Sequence, residues 1–252
     1  MYQQLHITAV IPALNEELAI SQVVQDILAL QDAVGRPVVD TVIVADNGST
    51  DATATLAKAA GASVVLAAQR GYGAACLAAI NQISATDVVV FIDGDGSVNA
   101  QQIPYLLARI AAGADLVIGS RTLGYVEAGA MTWSQQVGTA LVASIINVLW
   151  SATVTDLGPL RAIRYPGLKA LDMQDTRYGW TVEMQVKALQ LDFALVEIPV
   201  DCRVRLGKSK ISGTVRGVFG AAMGMVGMVV RLRWQQWRGC LWRDQAPLSR
   251  HS

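Results

Sequence analysis

The chain has 252 residues, of which 52% are apolar and only 16% charged, so one large domain, or one and a half, can bury a sizeable core. Twenty basic and twenty acidic side chains give a formal net charge of zero, which excludes a nucleic-acid binder that relies on a strong basic field. Three isolated cysteines, Cys76, Cys202 and Cys240, form neither a disulfide framework nor a metal-ligand spacing. The start, "MYQQLHITAVIPALNEE", lacks the basic and long apolar regions of a signal peptide, so a reducing, cytoplasmic location is expected.

In chain order, "HITAVIPAL" is a short β-branched strand. "EELAISQVVQDILALQ" follows with apolar residues at Ile20, Val23, Val24, Ile27 and Leu28, the spacing of a helix. "VDTVIVAD" is a second strand ending in Asp46, and "TDATATLAKAAG" a helix stopped by Gly61. "ASVVLAA" and "GYGAACLAAINQIS" repeat the pair. "DVVVFID" is the fourth strand, "QQIPYLLARIAAG" a helix with Ile103, Leu106, Leu107 and Ile110 on one face, and "DLVIGSR" the fifth strand. Apolar strands that alternate with helices predict a mostly parallel, doubly wound α/β sheet covered on both faces. Ligands of such sheets bind beyond the carboxyl ends of the strands. Here those ends carry "PALNEE", "ADNGSTD", "QRGYGA", "DGDGS" and "GSR", a polar lining suited to a nucleotide. Neither of the two common nucleotide-binding glycine fingerprints is present.

After Arg121 the pattern changes. "WSQQVGTALVASIINVLW" predicts a long apolar helix, "TDLGPLRAIR" a Gly/Pro turn flanked by charge, and "YGWTVEMQVKALQ" a helix with Glu183 near its start. "ALVEIPVDCRVR" reads as a strand leading into "LGKSKISGT". No linker composition separates the halves.

The chemistry concentrates in "FIDGDGSV". Asp93 and Asp95, at alternate positions after an apolar strand, suit a hard divalent cation such as Mg²⁺ or Mn²⁺ with positions left open for phosphate oxygens. The same letters also suit an Asp-Gly turn. Strand-end placement favours a metal–diphosphate site.

Taken in order, "VIPALNEE", "VADNGSTD", "RGYGAA", "FIDGDGS", "LVIGSR", "TDLGPLRAIR" and "RLGKSK" resemble the family 2 glycosyltransferases of the GT-A fold. They resemble the branch that includes polyprenyl-phosphate (dolichyl-phosphate) mannosyl- and glucosyltransferases. The resemblance spans roughly residues 5 to 212. It implies that Asp93 and Asp95 hold the metal of a nucleotide-sugar diphosphate. It places Pro12, Leu14, Asn15 and Glu17 around the base and ribose, and Asp46 on the nucleoside. Arg70 and Gly71 fall where the family closes a loop over the nucleotide, and Arg121 near the sugar-phosphate. Arg205, Lys208 and Lys210 match a basic loop that neutralises the leaving group. Asn47 stands where the family often has a second Asp, so no charged role follows there.

Breaking a sugar–diphosphate bond builds negative charge that a cation and positioned Arg or Lys groups stabilise. If the acceptor is a hydroxyl, a carboxylate base is wanted, and Glu183 is the candidate beside its alternative as a dipole-favoured first-turn residue. A lipid phosphate acceptor needs no strong base. Trp180 is a candidate to stack on the acceptor side, with Arg161 beside it; Arg161 and Arg164 are equally readable as partners of Asp156.

At the C-terminus Gly213, Gly217, Gly220, Gly224 and Gly227 draw a small-residue stripe on one helix face, a device for close approach in a bilayer or a helix pair. The uncharged run from Gly217 to Val230 is short of a span. Arg231, Arg233, Arg238 and Arg243 then interleave with Trp234, Trp237 and Trp242, a membrane-interface composition. The expectations are a GT-A domain over 1–211 and a helical membrane-interface or dimerisation element over 212–252. The activity expected is metal-dependent inverting transfer from a nucleotide-sugar, UDP-linked first and GDP-mannose second, to a polyprenyl phosphate or other membrane-proximal acceptor on the inner face of the cytoplasmic membrane. A sugar-phosphate nucleotidyltransferase, or a non-catalytic nucleotide-sugar-binding subunit, is the alternative; the acidic "PALNEE" counts against the first.

Overall fold

The structure, a computed structural model, describes residues 2–207 and 215–238, with side chains in the last helix from 223 onward. Its first half alternates as expected: β1 (Ile7–Ala13), α1 (Ile20–Leu28), β2 (Thr41–Asp46), α2 (Thr53–Ala59), β3 (Ser63–Leu66), α3 (Tyr72–Ile80), β4 (Val88–Phe91), α4 (Ile103–Ala111) and β5 (Leu116–Ser120). Then come α5 (Trp133–Trp150), β6 (Arg161–Arg164), α6 (Tyr165–Leu171), α7 (Trp180–Gln190), β7 (Leu195–Pro199) and α8 (Val215–Trp237).

The sheet order is β3-β2-β1-β4-β6-β5-β7. All neighbours run parallel except β6, which is antiparallel to both β4 and β5. Each residue of β4 is buried, as an interior strand covered on both faces requires. One core layer joins β1 and β4 to α1 and α4 through Ile20, Val24, Ile27, Leu106 and Leu107; the other packs α3 and α7 through Cys76, Ala79, Trp180 and Met184. A third cluster binds α5, α7 and α8 to one another through Val142, Ile146, Val186, Val229 and Leu232.

Two elements depart from the sequence reading. "LRAIR" is a strand within the sheet rather than part of a turn, and "YPGLKAL" after it is a helix. Arg161 enters the interior because its polar head is fully engaged: it donates to the carbonyls of Gly158 and Thr181 and to Gln185 Oε1. Arg164 likewise donates to the carbonyls of Ala114 and Ile110. Neither bonds Asp156, whose partner is Arg121.

β1 lies between β2 and β4, so the chain leaves the sheet in opposite directions on its two sides. The loops after β1, β2 and β4 therefore splay apart at one edge and open a crevice.

Candidate active site

Asp93 and Asp95 leave the end of β4 at this crevice. Gly94 sits between them against the core, where an added Cβ would lie 3.1 Å from Ile11 Cγ2 and 3.2 Å from Ile20 Cδ1. Gly96 has φ +73° and turns the chain back. Asp95 makes that turn itself, because its Oδ1 accepts the Ser97 N–H at 2.9 Å, while its Oδ2 lies 3.0 Å from Arg205 Nη1. The turn reading of "DGDGS" thus holds for one carboxylate oxygen of Asp95, while the other is paired with Arg205.

Asp93 accepts a 3.1 Å hydrogen bond from the Tyr72 hydroxyl. Burial pushes its carboxyl up to about 7, with the charge of Asp95 adding to the rise and Tyr72, Arg205 and Arg121 opposing it. Burial, and then Asp93, push the Tyr72 hydroxyl well above its ordinary value, so Tyr72 stays a donor. A half-buried and a buried carboxylate whose joint ionisation is this unfavourable fit a hard divalent cation. Among the described residues no group of three or more His, Cys, Asp or Glu side chains is placed to hold a metal ion, and a cation held by two carboxylates alone would keep positions open for phosphate oxygens.

The pair faces a cavity of about 430 Å³, a size that suits a small ligand. Pro12, Leu14 and Glu16 line it from the end of β1, Asn47 from β2, Arg70, Gly71 and Tyr72 from the start of α3, and Arg177, Tyr178 and Arg205 from the second half. Of the expected first-strand residues, Pro12 and Leu14 are in place. Asn15 and Glu17 instead fasten this loop to the next: Asn15 Oδ1 accepts the Thr50 N–H at 2.8 Å and Glu17 Oε2 the Ala52 N–H at 3.1 Å. Asp46 is buried and accepts the Ser49 N–H; its neighbour Asn47 reaches the cavity. Asn47 also shapes the wall, donating to the Gln69 carbonyl and accepting the Gly71 N–H at 2.7 Å.

Arg177 and Tyr178 arrive on a segment held from both sides. On one side it lies against α3 so closely that a Cβ at Gly71 would meet the Thr176 oxygen at 2.0 Å and one at Gly73 the Asp175 oxygen at 2.0 Å. On the other side stands Glu183, the expected base. Its carboxylate accepts the N–H groups of Gln174 and Asp175 and pairs with Lys187 at 2.8 Å, on a separate cavity between α7 and α8. The base role is corrected accordingly: Glu183 does not line the Asp93–Asp95 cavity. Trp180 and Arg161 are corrected too. Each is 1% exposed, Trp180 set edge-on to Phe91 with ring centroids 6.1 Å apart, so neither presents a face to an acceptor. Burial pushes the Arg161 guanidinium down to about 10.

Arg121 is spent on Asp156: Nε and Nη2 each donate at 2.8 Å to the two carboxylate oxygens, and its backbone N–H adds a third bond. Burial would raise the Asp156 carboxyl, but Arg121 holds it below the ordinary range. Lys208 and Lys210 lie outside the described residues. Glu16, Asn47, Tyr72, Arg177 and Tyr178 were not foreseen as site residues. Tyr72 is legible in "RGYGAA", one position past Gly71, whereas nothing local marks Arg177.

The family model described as glycosyl transferase family 2 matches residues 8–176. An uncharacterized glycosyltransferase of Mycobacterium tuberculosis is 37% identical over 212 residues, covering 84% of this chain and 92% of that one. A dolichyl-phosphate hexose transferase of Haloferax volcanii is 31% identical over 225 residues, covering 87% and 92%. Among solved structures, glucosyl-3-phosphoglycerate synthase of M. tuberculosis, in complex with Mn²⁺, UDP and glucosyl-3-phosphoglycerate, superposes with a TM-score of 0.73 at 24% identity, covering 92% of this chain and 81% of that one. The expected GT-A architecture is the one observed. The chain belongs to glycosyl transferase family 2 and resembles its polyprenyl- and dolichyl-phosphate sugar transferases.

Proposed function

We propose that the protein transfers a sugar, with inversion, from a nucleotide-sugar to a polyprenyl phosphate at a membrane surface, with a UDP-sugar the favoured donor and GDP-mannose the second. The observation that carries this is the Asp93–Asp95 pair at the switch point of the sheet, Asp95 buried and Asp93 half-buried, facing a cavity that Arg70, Arg177 and Arg205 also line. Asp93 and Asp95 would hold a divalent cation, Mg²⁺ or Mn²⁺, whose chemistry is to neutralise charge on the departing diphosphate. Tyr72 orients Asp93, and the arginines that line the cavity add cationic charge for the diphosphate. Pro12, Leu14 and Asn47 shape the nucleoside end. The Mn²⁺ and UDP named with the superposed structure support this donor reading.

Two features support a lipid phosphate as acceptor. Glu183 is turned away from the cavity, and an acceptor that arrives as an anion needs no strong base. The second is an apolar surface on α5 and α8. On α8, Met223, Val230, Trp234 and Trp237 are exposed at spacings of seven, four and three, one helix face. On α5, Trp133, Val137, Leu141 and Val148 are exposed along another, and that helix has no charged residue. Arg231 and Arg238 edge the α8 face on one side, and Arg233 stands over the Trp150 ring on the other. No described helix is long and apolar enough to cross a membrane, and an apolar stripe with tryptophans and flanking arginines suits a helix lying in an anionic interface. Gly224 and Gly227 have nothing within 4 Å of an added Cβ. The membrane is the partner favoured for this face, and a second copy is the alternative.

The test offers a panel of UDP- and GDP-sugars with polyprenyl phosphate or the corresponding polyprenol, and follows the lipid product. Transfer to the phosphate alone is expected. Transfer to the alcohol, or to a water-soluble acceptor alone, overturns the acceptor reading.

A further inference from the structure

Asp95 Oδ2 is bonded to Arg205 while Oδ1 is committed to the Ser97 N–H, so both oxygens of this carboxylate are taken within the protein itself. The arrangement is built from the backbone. The Arg203 N–H donates to the Ser97 carbonyl at 2.7 Å and the Leu206 N–H to the Asp95 carbonyl at 3.0 Å. The strand-like segment carrying Arg205 is thus fastened along the Asp95 turn on either side of the arginine, and only the side chain is left to swing. That side chain is partly exposed, 29%, while the Asp95 side chain is 6% exposed, and both line the same cavity.

A divalent cation approaching the Asp93–Asp95 pair meets a guanidinium already seated on the oxygen it needs. Two positive groups on one carboxylate oxygen repel each other, so the ion pair must open before the cation is fully held. A diphosphate changes the balance. Its oxygens bring negative charge into the cavity, and Arg groups bind phosphate oxygens well through their planar fork. Asp95 can then exchange its guanidinium for the cation while the guanidinium exchanges its carboxylate for phosphate, and no charge is left unpaired.

We propose that Arg205 is an internal counter-cation that makes metal binding at Asp93–Asp95 conditional on a diphosphate: it holds the pair against bare metal ions and yields when metal and nucleotide arrive together. The inference rests on the reading of the pair as a metal–diphosphate site.

The test measures binding rather than turnover. Free Mn²⁺ is titrated by electron paramagnetic resonance against the full chain, for the wild type, Arg205→Gln and Arg205→Lys, without and with saturating UDP. Without UDP, Arg205→Gln binds Mn²⁺ about tenfold more tightly than wild type, and Arg205→Lys stays close to wild type because it keeps the charge. With UDP the order reverses, so UDP tightens Mn²⁺ binding far more in wild type than in Arg205→Gln. Equal or weaker binding of bare Mn²⁺ by a folded Arg205→Gln overturns the inference while leaving the metal site intact. If Arg205→Gln does not fold, Arg205→Lys must show the wild-type dependence on UDP, and its absence there overturns the inference instead. No Mn²⁺ binding by any form, with or without UDP, overturns the metal reading itself and this inference with it.

Discussion

Glu183 and Lys187, one helical turn apart on α7, form a 2.8 Å ion pair in which both side chains are almost wholly buried, and both reach back to the same segment. Glu183 receives the Gln174 and Asp175 N–H groups and Lys187 donates to the Asp172 carbonyl at 2.6 Å. Arg177 and Tyr178, two and three residues past that anchor, are delivered to the cavity that Asp93 and Asp95 face. The pair positions the site from behind rather than acting in it.

Removing one member of a buried pair costs about 3–5 kcal/mol, because the other charge is left uncompensated. Glu183→Gln is therefore expected to lower the melting temperature and raise the donor KM, and Glu183→Gln/Lys187→Met to recover part of the lost stability. The pH–rate profile of Glu183→Gln should keep the wild-type acidic limb. Loss of that limb at an unchanged KM would return Glu183 to the role of base.

The close approach of α3 to the same segment makes a second prediction. Gly73→Ala would set a Cβ 2.0 Å from the Asp175 oxygen, a backbone atom that cannot step aside alone. A rise of about tenfold or more in donor KM is expected, equivalent to about 1.4 kcal/mol. Gly138→Ala on α5, with nothing within 4 Å, is the control and should be neutral or stabilising by up to about 1 kcal/mol. Equal effects of the two substitutions would mean that the contact with Asp175 is not what positions the wall.

These positions show what the sequence could and could not reveal. The alternation of β1 to β5 with their helices was legible because the strands are short, largely apolar runs and α1 and α4 each carry a 3.6-residue apolar face. The 133–150 helix was legible to the residue as an uncharged apolar run, and in the structure Thr132 and Gln135 form a capping box at its start while Ser151 closes it in the left-handed region. β6 was not. Two of its four residues are arginines, and burial of their polar heads depends on carbonyls from residues 3 to 54 positions away. The Asp93–Asp95 pair was legible because its chemistry is local. Glu183, Trp180 and Arg161 carry the right residue types, but which way each faces is decided by the packing of α7 between the sheet and α8, which no local pattern encodes.

Asp93 predicts a pH dependence of stability. An aspartate whose folded value is raised to about 7 binds its proton more tightly when folded. Its contribution is therefore fully present below the unfolded value near 3.8 and is lost as pH rises through about 7. In metal-free buffer the melting temperature of Asp93→Asn minus that of wild type should grow between pH 5 and pH 8 and level off above. A difference that stays constant over this range would mean that Asp93 is not destabilised by burial and by Asp95.

The surface of α5 and α8 can be read by vesicle co-sedimentation. Wild-type protein should pellet with vesicles containing anionic phospholipid and much less with neutral ones. Trp234→Ala/Trp237→Ala should lose most of that binding while retaining its melting temperature, because the two side chains are 52% and 84% exposed. Unchanged pelleting of the double variant would take the membrane away from this face.

The most direct test of the account is transfer of radiolabelled sugar from its nucleotide donor to polyprenyl phosphate, by wild type and by Asp95→Asn, after chelation and after Mn²⁺ is restored. Lipid-linked product that disappears on chelation, returns with Mn²⁺, and falls by a factor of about 10² or more in Asp95→Asn, equivalent to roughly 2.7 kcal/mol of transition-state stabilisation, is the predicted result. Transfer that survives chelation and is equal in Asp95→Asn would contradict the claim that the Asp93–Asp95 pair is the metal–diphosphate site.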